Sequence, residues 1–223
     1  MKKGEYMKNI LTGLLITILS APAFAGSVSG GFNYGSDYIF RGVSQSGKPT
    51  AGAWLQLDSD LGFYTGVWGS QVDFSSMDSS ETSQEVDYYG GYNLQVSDSV
   101  SVDMGYQRLT FNGLTPSVEE FYSKAQIGNL GIDVYQDLET NDNYAEISYA
   151  FGWLFDNAFD ASLMFGTHDR KGDDSFTMLR LGKSFGSQDQ FNFGVLVGQN
   201  VFEGQVADSI TARLSYNFKR SNS

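Results

Sequence analysis

The chain has 223 residues with no Cys, 3 Pro, 26 Gly and 15% aromatic residues, which suits one all-β domain rich in turns better than a helical protein. Without cysteine there is no disulfide framework, no thiolate metal site and no cysteine nucleophile. The net charge of −12 argues against nucleic acid as a partner, because phosphate neutralisation needs a basic surface.

The N-terminus carries Lys2, Lys3 and Lys8, then an apolar run from Ile10 to Leu19, then "SAPAFAG" with Ala23 and Ala25 at the small-residue positions before a cleavage point. This pattern predicts a Sec-type signal peptide over residues 1–25 and a mature chain from Gly26. Met7 is a second possible initiator, since the segment from Met7 to Ala25 already forms a complete signal. The apolar run is shorter than the roughly 20 residues of a membrane-spanning helix. Removing residues 1–25 takes away three Lys and one Glu and leaves 11 basic and 25 acidic residues, a net charge of −14.

After Gly26 the dominant signal is alternation with the period of a strand whose two faces meet different surroundings. Val28, Gly30, Phe32 and Tyr34 alternate with Ser29, Gly31 and Asn33, and Ala53, Leu55 and Leu57 with Trp54, Gln56 and Asp58. Val86, Tyr88, Gly90 and Tyr92 oppose Asp87, Tyr89 and Gly91, and Val102, Met104 and Tyr106 oppose Asp103, Gly105 and Gln107. The second half repeats this through Ile132, Ile147, Leu163 and Leu179, while segments 63–74, 118–127 and 190–200 leave the buried face undecided. The count is about 12 strands, within 10–14.

A soluble sandwich and a membrane barrel both alternate, so the environment of the apolar face decides between them. Asp87, Asp103, Asp133, Glu146 and Arg180 place charge in mid-strand on one face, and the opposite faces carry almost none. A bilayer demands such a face, since a basic residue on a barrel's lipid side costs about 2–4 kcal/mol at the midplane. Tyr34, Tyr88, Tyr106, Tyr149 and Tyr216 fall near segment ends, where interfacial girdles lie. Connections alternate too. Longer ones are predicted at 38–50, 75–84, 112–117, 138–143, 169–175 and 201–207. Tight ones occur at "DLG", "SDS" and "GNLG", with "GWLFDNA" from residue 152 the one long exception. The predicted fold is therefore a transmembrane antiparallel up-and-down β-barrel, closed because only closure satisfies backbone groups in lipid without an edge.

The last strand alternates Ile210, Ala212, Leu214, Tyr216 and Phe218 with polar residues. It resembles the C-terminal assembly signal of outer-membrane barrels, here carried by Tyr216 and Phe218, although "KRSNS" follows. Outer-membrane lipid and, through this strand, the barrel-assembly machinery are the partners such a signal implies, in a Gram-negative outer membrane.

Between the first two strands, "SDYIFRGVSQSGKPT" carries the parity onward: Tyr38 and Phe40 are expected at the lipid-side girdle, and Asp37, Ile39 and Arg41 inward, with Arg41 at the channel mouth. This stretch, with "GFYTGVWGSQVDF" from Gly62 and "EVDYYGGY" from Glu85, resembles the TorF-like porin family, also labelled Gcw_chp. The resemblance lies in the first two-fifths of the chain. It implies an outer-membrane pore and brings no catalytic residues.

By parity, Asp58, Glu85, Asp87, Asp103, Glu120, Asp133, Asp137, Glu146 and Asp160 face inward against Lys124, Arg180 and Arg213. With Asp37 and Arg41 these are the candidate lumen residues, and carboxylate rings favour cations. The expected activity is passive passage of small solutes or ions without a cofactor, a metal site or a reaction. The competing readings are a non-conducting structural or adhesive barrel with inward Trp54, Tyr89, Tyr122 and Tyr135 filling the lumen, an outer-membrane hydrolase, and a soluble sandwich. The lone His168 beside Asp169 lies in an outer loop, and the acidic loops near residues 138–146 and 168–174 lack the ordered spacing of a cation site.

Overall fold

The computed structural model describes residues 26–74, 82–113, 115–156, 158–169, 174–186, 189–202 and 205–221. The predicted signal peptide lies outside the described residues. The chain forms β1 (Ser27–Gly35), a short hairpin of β2 (Ile39–Phe40) and β3 (Val43–Ser44), then β4 (Thr50–Asp58), β5 (Phe63–Gln71), β6 (Gln84–Ser97) and β7 (Val100–Phe111). It continues with β8 (Val118–Ile127), β9 (Leu130–Asp137), β10 (Asn143–Ala150), β11 (Asp160–His168), β12 (Ser175–Phe185), β13 (Asp189–Phe202) and β14 (Gln205–Ser221). All strands except β2 and β3 join one closed barrel in the order β1-β14-β13-β12-β11-β10-β9-β8-β7-β6-β5-β4.

Closure is made by β1. It pairs antiparallel with β4 on one side, Phe32 opposite Ala53, and with β14 on the other, Phe32 opposite Tyr216. Every wall strand therefore has two neighbours, which removes the unpaired edge that lipid would not tolerate. The final strand runs past Phe218 to Ser221, with Lys219 opposite Ser29, so residues 219–221 extend the wall.

Alternation places one set of side chains outward. Phe32 is 59% exposed, and Phe63, Met104, Phe121, Ile147, Leu163, Phe193 and Leu214 lie open on the same surface. Such an apolar exterior on a closed barrel is a surface for a bilayer. Tyr34, Tyr88 and Tyr149 are also exposed outward, and Tyr216 packs between Phe32 and Phe191 with ring centroids 5.4 and 4.9 Å away. The segments whose faces the sequence leaves open now resolve: Tyr64, Trp68, Tyr122 and Leu196 turn inward, and Phe63, Phe121 and Phe193 outward.

Connections at one end of the barrel are mostly tight and those at the other mostly longer, but the long connection expected at 201–207 is not formed: β13 runs to Phe202 and β14 starts at Gln205, with Phe202 opposite Gln205. At the turn end a 3-10 turn, Gly152–Phe155, is ended by Asp156 in the left-handed region at φ 50°. Trp153, Leu154, Phe155 and Phe159 are exposed there, an apolar cluster suited to a membrane interface.

The first long connection departs from the sequence reading. Parity sends Tyr38 and Phe40 to the lipid side, but the chain leaves the wall after Gly35 and folds into the lumen. The ring of Tyr38 lies 5.1 Å from that of inward-facing Trp68. Ile39 packs on a cluster of Tyr144, Phe176 and Met178 inside the barrel. Alternation holds only while the backbone stays in the ladder, and here the ladder has ended.

Candidate functional site

The inward hairpin pairs Ile39 with Ser44 and Phe40 with Val43. Its two central residues, Arg41 and Gly42, both have positive φ, 49° and 81°, the geometry of a tight turn whose twist matches the strands it joins. Glycine is needed at the second position for two reasons. The backbone is left-handed, and a Cβ there would fall on the Cβ of Phe176. The turn tip is thus pressed against β12.

Asp37 organises the base of this loop. Its Oδ1 accepts hydrogen bonds from the backbone N–H of Tyr38 at 2.7 Å, that of Gly47 at 2.9 Å and the hydroxyl of Ser46 at 2.7 Å. Asp37 therefore closes the loop at its neck. Two further ties fix the loop to its surroundings: Ser36 N–H donates to the carbonyl of Ala212 on β14, and Asp73 N–H donates to that of Gln45. Lys48 Nζ also meets Asp73 at 2.5 Å.

Arg41 lies inside the barrel near the outer ends of β8 and β9, in the wall of the loop-end cavity. Its Nη1 and Nη2 donate to Oε1 and Oε2 of Glu120 at 2.7 and 2.8 Å, a bidentate pair. The guanidinium carbon lies 4.4 Å from the ring centres of Tyr135 and Tyr144 and 4.6 Å from that of Phe40. Gln107 Nε2 donates to Oε2 of Glu120 at 2.7 Å. The side chains of Arg41 and Glu120 are only 10% and 5% exposed. A charge so removed from water needs both a matched partner and further hydrogen bonds, and the aromatic faces add to that environment.

A polar network extends from this latch around one wall. Tyr144 hydroxyl donates to Glu146 Oε2 at 2.6 Å and Tyr64 hydroxyl to Asp103 Oδ1 at 2.6 Å; the hydroxyls of Tyr64 and Tyr122 are 2.5 Å apart. Lys124 lies over Tyr122 at 4.7 Å and stands opposite Asp133 across β8 and β9. Glu85 is buried and lies two residues from Asp87 on the same face of β6. Each of these two carboxylates has one oxygen that finds no hydrogen-bond partner among the described residues.

The hairpin divides the lumen. Toward the turn end opens a cavity of about 900 Å³ whose lining includes Asp58, Tyr64, Asp87, Tyr89, Asp103 and Lys124. Toward the loop end is a smaller one of about 290 Å³ with Arg41, Glu85, Glu120, Asp137, Tyr144 and His168 in its wall. No residue lines both. Arg180 and Arg213 lie apart from this network, around a third recess on the opposite wall with Asp160.

The family profile described as "Bacterial protein of unknown function (Gcw_chp)" matches residues 20–209. The chain belongs to the Gcw_chp family. Among solved structures, this Gcw_chp barrel is similar to the KdgM porin in complex with disordered oligogalacturonate. The TM-score is 0.59 at 8% identity, over 86% of this chain and 98% of that one. A second structure of the KdgM porin gives a TM-score of 0.55 at 10% identity over the same shares of the two chains. At that identity the likeness establishes the barrel fold. A comparison with curated proteins gives no match.

Two further readings of the Gcw_chp sequence meet the geometry here. Asp169 turns toward Asn143: its Oδ1 accepts the backbone N–H at 2.5 Å and its Oδ2 the side-chain amide at 2.7 Å. These bonds hold its carboxyl below the usual carboxylate range, and the ring of His168 packs 4.7 Å from Tyr144. Among the described residues, no group of three His, Cys, Asp or Glu could hold a metal ion. The residues that parity counting misplaces are Tyr38 and Phe40, which turn into the lumen beside Trp68 and Arg41. The available signal was Arg-Gly between Ile-Phe and Val-Ser, a two-residue hairpin turn with glycine at its second position.

Proposed function

We propose that this Gcw_chp protein is a porin-like channel for passive passage of small solutes or ions through a Gram-negative outer membrane, with the β2–β3 hairpin as its constriction. The observation that carries this is the wide polar cavity of about 900 Å³ on the turn side of the Arg41–Glu120 latch, lined by Asp58, Asp87 and Asp103 among others. A purely structural barrel has no need of a wide polar cavity. Similarity to the KdgM porin fold supports the reading.

In this proposal Asp58, Asp87, Asp103, Asp133 and Glu146 form an acidic wall that favours cations, while Glu85, Glu120, Lys124 and Arg41 set the constriction. Asp37 holds the loop neck, and Arg180 and Arg213 face the acidic wall. The mature chain begins at Gly26 after export through the Sec pathway, with Ala23 and Ala25 guiding cleavage. Tyr216 and Phe218 present the final strand to the barrel-assembly machinery.

One observation favours a second reading, a closed barrel: the two cavities share no lining residue. Planar-bilayer conductance of the purified barrel, with reversal potential under a KCl gradient, separates them. Discrete steps with cation preference support the channel. A folded but silent barrel rules it out and leaves the structural or surface-binding role.

A further inference from the structure

We propose that Arg180 and Arg213 form a binding subsite for a small oxyanion, the carboxylate or phosphate group of a solute in the lumen. The proposal goes beyond the channel reading and shares with it only an accessible lumen.

Two other lumen cations, Arg41 and Lys124, have evident neighbours. Arg41 is held by Glu120, and Lys124 lies over Tyr122 with Asp133 opposite. Arg180 and Arg213 instead have each other. Arg180 and Arg213 line the same recess, and neither makes a hydrogen bond or ion pair among the described residues. Both are exposed to the lumen. Like charges placed together without a carboxylate between them, in a chain with 26 acidic residues, attract an anion. The carboxylate in the same recess, that of Asp160, accepts a hydrogen bond from Ser184 at 2.9 Å.

The backbone makes room for that anion. Across the wall, Asp160 pairs with Gly182, Gly182 with Gly194, and Gly194 with Arg213, so two adjacent glycines face inward between the charged side chains. One row toward the loop end, Arg180 stands opposite Leu196. Strands β12 and β14 are two inter-strand spacings apart, about 10 Å, a span that two arginine side chains reach from either side. The recess measures about 360 Å³, with Asn192 and Ser215 as further donors in its lining.

Gly194 shows that this space is not imposed by packing. Its φ is not positive, and a Cβ there would meet only the carbonyl oxygen of Leu181, at an ordinary 3.5 Å. A glycine inside a strand weakens it and commonly marks a close approach by a ligand. Here the missing side chain leaves the floor open beneath two guanidinium forks, whose planar donors suit carboxylate and phosphate oxygens.

The test is titration of the barrel, purified from membranes in detergent, with inorganic phosphate and separately with acetate at constant ionic strength. Binding is read by calorimetry and by the fluorescence of Trp54, which lines the recess. Saturable binding is expected. Arg180→Gln and Arg213→Gln should each weaken it about tenfold or more through loss of a charge-assisted contact. Gly194→Leu, which keeps both arginines and fills the floor, should abolish it. Saturation by phosphate alone assigns the site to phosphates, and saturation by acetate as well extends it to carboxylates. Absence of saturation by both anions overturns the proposal, as does unchanged binding in an Arg180→Gln/Arg213→Gln double variant whose heat-modifiable gel mobility shows it folded. Binding is read without conduction, so a barrel that conducts but does not bind overturns this site alone.

Discussion

The guanidinium of Arg41 and the carboxylate of Glu120, 79 residues apart in sequence, meet through two parallel hydrogen bonds of 2.7 and 2.8 Å inside the barrel. The pair joins a hairpin that has no ladder to the wall to strand β8 of the wall itself. Removing one partner leaves a buried charge without compensation, which costs about 3–5 kcal/mol. The wall can avoid much of that cost by releasing the hairpin and letting water reach Glu120. Arg41→Ala should therefore give larger or noisier conductance steps than the parent protein, and Glu120→Ala the same. The Arg41→Ala/Glu120→Ala double variant should fall well short of the sum of the two, since the pair acts as one unit. Additive single-channel effects would separate the two residues and remove the latch.

Gly42 tests the hairpin without touching any charge. Gly42→Val introduces a β-branched side chain at φ 81° and onto Phe176, so the turn tip must lift from β12. Gly47→Val also sits at positive φ, 58°, but with nothing within 4 Å of its Cβ. The second substitution carries backbone strain alone, on the order of 1–3 kcal/mol, in the loop neck. Conductance should rise for Gly42→Val and stay near the parent value for Gly47→Val. Equal behaviour of the two variants would mean that contact with Phe176 does not set the constriction.

How far the sequence carried these conclusions depends on where the backbone stays in the ladder. The alternation around Leu163 or Tyr106 reports a wall with two environments, and the twelve wall strands follow from it. The alternation at Gly35–Arg41 looked the same but had no neighbour to pair with. Parity alone therefore sends Tyr38 and Phe40 outward, beyond the point at Gly35 where the ladder ends. The inward pull comes from long-range packing, Ile39 on Phe176 and Arg41 on Glu120, contacts that no local period encodes. Arg180 and Arg213 were placed inward by parity. That they share one recess depends on the register of three strands, which composition does not specify.

The charges of the wide cavity predict how selectivity responds to substitution. Asp103 and Asp58 line it, and each carboxylate draws cations and repels anions. Asp103→Asn and Asp58→Asn should each move the reversal potential under a KCl gradient toward zero. Arg180→Gln should move it the other way. All three shifts should shrink in molar salt, where screening falls to about 3 Å. A reversal potential indifferent to all three would place the permeating ions on a path away from these residues.

The outer face offers a test of the membrane itself that is independent of conduction. Leu163 sits in the middle of β11 with neighbours Tyr149 and Leu179 across the strands, and it is 48% exposed on the apolar exterior. Arginine at this position would meet hydrocarbon, at a cost of about 2–4 kcal/mol near the midplane. In a soluble barrel the same change would be a surface substitution, within about 0.5 kcal/mol. The Leu163→Arg variant should refold with a lower midpoint in urea when lipid vesicles receive it, with a far smaller change in a detergent whose micelle lets the guanidinium reach water. Equal stability of parent and variant in vesicles would mean that this face does not meet the bilayer core, and the outward belt of Phe32, Phe121 and Phe193 would need another partner.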